Sequence, residues 1–214
     1  MRVCGGRGPH FASCVCKSQG KPFSVEIVDL NGDGRVDILC TNHQPDNINF
    51  PSTIPGRVFA LEQPPPGEDI FSNDWTTHIL LDDIRPNPSM PGARNSRLAP
   101  GAVSAIYPYP GNKNEQRPGV RPWIVVGGDE ASKVWLMRPM TNDWDYESTV
   151  IFDINEYYGE DTTQTPTDIG TTISTIGKVI ATESVEKQGD LLIYIPVFEA
   201  RDIHVFRLTS SCGN

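Results

Sequence analysis

Asp29-Leu-Asn-Gly-Asp-Gly-Arg-Val-Asp37 places oxygen side chains at alternate positions, Asp29, Asn31 and Asp33, with a fourth at Asp37. Gly32 and Gly34 let the backbone turn sharply between them. A hard cation such as calcium takes about six to eight oxygens in flexible geometry, and a tight loop can supply them from alternate positions. The spacing therefore predicts a calcium site made by Asp29, Asn31, Asp33, the Arg35 carbonyl and Asp37. A plain Asn-Gly or Asp-Gly turn also makes hairpins without metal. Four carboxylate or amide oxygens at this spacing exceed what such a turn needs.

The flanks decide what kind of loop this is. An EF-hand needs a bidentate Glu at its twelfth position and a helix on each side. Cys40 stands at that position here. Upstream, Phe23-Ser-Val-Glu-Ile-Val alternates apolar and polar residues. Downstream, Val36-Asp-Ile-Leu-Cys-Thr is a short apolar run. Both read as strands, so the loop reads as a calcium-holding β-hairpin turn. Strand, loop and strand together resemble the FG-GAP/VCBS repeat, the calcium-loop blade of integrin-like β-propellers. The resemblance covers about residues 23–41.

Three weakly similar units follow along the chain. Their third strands align best: Arg57-Val-Phe-Ala-Leu, Lys133-Val-Trp-Leu-Met and His204-Val-Phe-Arg-Leu. In the first two units a Trp, Trp75 or Trp144, precedes the fourth strand. The expected architecture is all-β: about three blades of four antiparallel strands, forming an incomplete propeller. A two-sheet sandwich is the competing fold. The divisions are an unstructured lead-in over 1–22, a blade with the calcium loop over 23–84 and a linking loop over 85–101. A second blade covers 102–154, a second linking loop 155–170, and a third, incomplete blade 171–210. The family places its calcium loop between the first and second strands of a blade, as here. Units two and three lack it, so the resemblance implies one calcium site in this chain. A closed propeller takes about four to eight blades. Three therefore imply a fragment of a longer propeller, or self-association through open sheet edges.

Composition narrows the classes. Nineteen Gly and nineteen Pro imply frequent turns and no long helices. A net charge of −9 argues against nucleic acid and anionic membrane as partners. No run approaches the roughly 18 apolar residues of a membrane span. The N-terminal stretch has no apolar core of a secretory signal. Localisation is left open, with an extracellular site consistent with an incomplete N-terminus. Five cysteines are too scattered for a disulfide scaffold, and Cys40 reads as a small buried hydrophobe. Cys4, Cys14, Cys16 and His10 fit no standard zinc spacing.

No nucleophile elbow, phosphate loop or HExxH motif occurs. His78 and His204 fall in strands and read as hydrogen-bonded structural residues. His43 follows the second strand of the hairpin, where it reads as a solvated loop residue or as one facing a substrate. Arg94 and Arg97 lie in the first linking loop, where they could clamp an acidic group. Tyr157 and Tyr158 in the second could stack on a sugar. The first functional expectation is a calcium-binding module that binds a protein or glycan ligand. The second is a carbohydrate lyase or dehydratase, as some VCBS-type propellers are, with His43 as base and Arg94 or Arg97 stabilising an anion. The third is a nonfunctional fragment of a longer propeller protein.

Overall fold

The computed structural model describes residues 19–45, 54–70, 75–87, 98–107, 119–141, 144–158, 175–184 and 190–209. Arg94, Arg97, His10, Cys4, Cys14 and Cys16 lie outside them.

The described chain is mostly β, in three antiparallel sheets, none closed on itself. The first sheet has the order β1 (Pro22–Val28), β2 (Asp37–Asn42), β4 (Gly56–Glu62), β5 (Thr76–Ile84). The second runs β7 (Val103–Ile106), β8 (Trp123–Gly127), β9 (Lys133–Pro139), β10 (Tyr146–Asp153). The third has β11 (Ile180–Glu183), β12 (Leu191–Val197) and β13 (Asp202–Leu208). Two-residue strands β3 (Gln44–Pro45) and β6 (Leu98–Ala99) pair with each other, and a single helical turn, α1 (Ile154–Tyr158), follows β10. No helix among the described residues is long and apolar enough to cross a membrane.

Side-chain alternation explains how the sheets stack. In β12, Leu191, Ile193, Ile195 and Val197 are buried while Leu192, Tyr194 and Pro196 between them are less so. A strand with one apolar face must cover that face with another layer. Val28, Leu39, Val58 and Ala60 of the first sheet meet Val103, Ile124, Val126 and Met137 of the second. Val125, Val134 and Leu136, on the second sheet's other face, meet Leu191, Ile193 and Ile195 of the third. The first strands of the sheets lie side by side. Ala105 N–H of β7 donates to Glu26 Oε2 of β1 at 2.9 Å, and Ser104 Oγ donates to the Val179 carbonyl just before β11. The edge of β7 is thus partly satisfied by side chains of its neighbour.

Gly56 shows how closely β4 lies against its neighbour β5 and the short strand β6. A Cβ there would lie 2.3 Å from the Ile84 carbonyl oxygen and 2.6 Å from that of Ala99. Parts of the outward faces of the stack are apolar and exposed, whereas Cys40, Phe59 and Leu61 on the first sheet's outer face are buried. Phe23, Val25 and Ile27 of β1 are exposed on one side, and Ile180, Ile203 and Val205 on the other.

The apolar run from Ile176 suggests a strand starting there, but the ladder begins at Ile180. Ile176 instead bridges Asp129 and Val197, joining the β8–β9 turn to the third sheet. Its backbone is shared between two sheets, which a one-dimensional pattern does not encode.

Candidate functional site

The loop between β1 and β2 folds around its own carboxylates. Asp29 Oδ1 accepts the Gly32 N–H at 2.7 Å, and Oδ2 accepts that of Gly34 at 2.8 Å. Both glycines have φ in the left-handed region, +82° and +86°, which L side chains rarely adopt. Asp37 Oδ2 accepts the Leu30 N–H at 2.9 Å and Oδ1 the Gln63 N–H at 3.2 Å. Asn31 Oδ1 accepts the Asp33 N–H, and Asn31 Nδ2 donates to Asp33 Oδ2. Asp33 also takes the Arg35 guanidinium, whose Nη1 is buried with no partner among the described residues. Glu62 lies 3.7 Å from the same guanidinium.

Asp29 and Asp37 are 0% and 1% exposed. Burial is the main reason the Asp37 carboxyl is pushed up to about 6, and the charges of Asp33 and Asp29 add to it. The Leu30 and Gln63 N–H bonds pull the other way and lose. Asp33, held by Arg35, is shifted down. The five residues named from the spacing thus lie in one loop. Among the described residues no three His, Cys, Asp or Glu side chains already form a metal cage. What fits a divalent cation is the donor set: buried carboxylates that repel one another, with an amide and a backbone carbonyl beside them.

A pH dependence follows for the calcium-free chain. The folded value for Asp37 lies above the ordinary carboxylate value of 3.8. The folded state therefore holds the proton more tightly, and its contribution is full below about 4 and lost as pH rises through about 6. In chelator, melting temperature should fall more steeply between about pH 4 and 6 in the parent than in Asp37→Asn. Parallel slopes in the two proteins would contradict this.

The loop is clamped to the second sheet. The Leu30 carbonyl accepts Arg121 Nε–H at 2.9 Å and the Tyr146 hydroxyl at 3.2 Å. Arg121 Nη1 and Nη2 donate to the Met140 and Asp145 carbonyls, and its guanidinium stacks over Tyr146. Gly119 N–H donates to the Gly32 carbonyl. Arg121 and Tyr146 carry no motif that announces this role.

His43 stands at the opposite end of the β1–β2 hairpin. Its Nε2 is 2.8 Å from Asp129 Oδ2, in the β8–β9 turn, and its ring packs on Phe23. Both side chains are partly exposed, at 16% and 18%. Asp129 has φ of +53°, so the turn is bent to present it. His78 and His204 are structural as expected. His78 pairs with Glu62 and stacks flat on Trp144, and His204 bonds the Tyr158 hydroxyl. Tyr158 is therefore engaged in packing at α1.

The chain matches no protein-family model, no curated protein and no solved structure.

Proposed function

We propose that the chain is a calcium-binding FG-GAP/VCBS-type β-propeller module of about three blade-like units, the third incomplete, that binds a protein or carbohydrate ligand. The observation that carries this reading is the pair of buried carboxylates, Asp29 and Asp37, in the first turn of the first of three stacked antiparallel sheets. Bound calcium would be held by Asp29, Asn31, Asp33, the Arg35 carbonyl and Asp37. It would supply charge neutralisation and a cross-link between β1 and β2. Asp33 would exchange Arg35 for the ion. The unpartnered Nη1 makes that exchange less costly than breaking a fully satisfied ion pair.

The exposed apolar residues of β1 and of the third sheet suit further blades, from a longer chain or a second copy. Melting with calcium and with chelator, beside light scattering for mass, tests the reading. A rise in melting temperature of several degrees with calcium is expected, since a hundredfold excess over Kd adds about 2.7 kcal/mol. A melt indifferent to calcium would remove the metal from the account.

The His43–Asp129 pair favours a second reading, a carbohydrate lyase or dehydratase. A carboxylate beside an imidazole orients it, as a general base requires. Loss of turnover in His43→Ala with folding and calcium binding intact would support this reading. Unchanged turnover would remove His43 from it.

A further inference from the structure

A cleft of about 380 Å³ opens between the last strand of the first sheet and the third strand of the second. The volume is in the range of small-ligand sites. Its walls are Asp82, Asp83 and Arg85 on one side and Lys133, Trp135 and Asn155 on the other. Two backbone features shape it. Strand β5 bulges opposite Arg57, between the pairs Gly56↔Ile84 and Val58↔Leu81, and Asp83 takes φ of +57° there. The bulge puts two consecutive carboxylates on the lining, where a regular strand would send them to opposite faces. Across the cleft, Trp135 lies against Gly128, where a Cβ would come within 2.7 Å of the indole.

We propose that this cleft binds an uncharged saccharide, with Trp135 as the stacking surface. Its lining charges are neutralised within the walls. Asp82 accepts from Arg57 at 2.7 Å, Asp83 accepts from Arg85 Nε at 2.6 Å, and Lys133 lies 3.1 Å from Asp153. Among the described residues, an anion would find no unspent cation beyond the outer edge of Arg85, whose ion pair is itself exposed. An apolar ligand would bury these paired ions without replacing their water. A sugar suits both: one face of its ring is C–H and covers an indole, and its vicinal hydroxyls bond paired carboxylates and guanidinium groups. Among the described residues no ring or cation covers the indole of Trp135, and its N–H has no partner. Asn155 adds an amide whose oxygen accepts from Asn87 Nδ2 at 3.3 Å.

The inference deepens the carbohydrate half of the proposed function. The cleft shares no residue with the loop over 29–37, so calcium binding and saccharide binding can fail separately.

The test uses the full chain with calcium and, separately, with chelator. Methyl glucoside, methyl galactoside, methyl mannoside, cellobiose and sodium glucuronate are each titrated, followed by saturation-transfer NMR. Saturable binding of at least one neutral probe is expected, weakened about tenfold by Arg85→Ala and by Trp135→Phe. Arg85 is well exposed, and its removal leaves the core intact. Asn155→Ala serves if Trp135→Phe fails to fold, as its own melt would show. No saturable binding of any neutral probe, binding of glucuronate alone, or neutral binding unmoved by the variants would each overturn the proposal. Saccharide binding without a calcium-shifted melt would leave this inference standing and sink the metal reading. A calcium shift without saccharide binding would do the reverse.

Discussion

Asp29→Ala is expected to weaken calcium binding at least a hundredfold and to lower the stability of the calcium-free chain by about 2 kcal/mol. The first effect follows from the site: Asp29 is the first oxygen donor of the loop and is fully buried. The second follows from its bonds. It accepts the N–H groups of Gly32 and Gly34, both held at left-handed φ, and closes the turn on itself. Without it, two N–H groups must find water and two flexible glycines regain their freedom. Asn31→Ala, on the exposed side of the loop, should reduce calcium affinity with much less effect on the calcium-free melt. Calorimetric titration and melting in chelator separate the two effects. Equal calcium affinity in Asp29→Ala and the parent would refute the assignment.

Arg121→Ala is expected to destabilise the chain by about 3 kcal/mol, and to weaken calcium binding although Arg121 is not a ligand. One guanidinium joins three carbonyls, those of Leu30, Met140 and Asp145, and lies over the Tyr146 ring. Charged-donor hydrogen bonds contribute about 1.5–3 kcal/mol each, but two of these three are exposed, which sets the lower total. Leu30 is fully buried inside the loop, so its carbonyl links loop geometry to the second sheet. Arg121→Lys should behave nearly as badly, because a single ammonium cannot reproduce the planar fork. Melting in denaturant reads the first effect and calorimetry the second. A variant that loses stability but keeps full calcium affinity would show that the clamp holds the sheets without shaping the loop.

Much of the strand pattern is legible in the sequence, because alternation reports which face of a strand is covered. The run Asp190-Leu-Leu-Ile-Tyr-Ile places β12, and Lys133-Val-Trp-Leu-Met places β9. The loop residues are legible for another reason: their spacing is local, and the backbone of nine residues suffices to gather them. What is not legible is long-range. Arg121 lies 91 residues from the carbonyl it holds, and Asp129 lies 86 from His43. The cleft lies where a bulge in β5 faces a glycine-backed Trp in β9. Strands β3 and β6, two residues each, and α1, a single turn, are too short to leave a period. The Trp residues before the fourth strands look equivalent in sequence but differ in place. Trp75 bonds the Ile70 carbonyl beside Cys40, Phe59 and Leu61, whereas Trp144 stacks on His78 between the first two sheets.

The most direct measurement is a calorimetric titration of the metal-free chain with calcium chloride at neutral pH, repeated with Asp29→Ala. The account predicts one saturable site per chain, with Kd between about 10⁻⁷ and 10⁻³ M, absent in the variant. No saturable heat up to about 10 mM calcium, or the same heat in the variant, would contradict it.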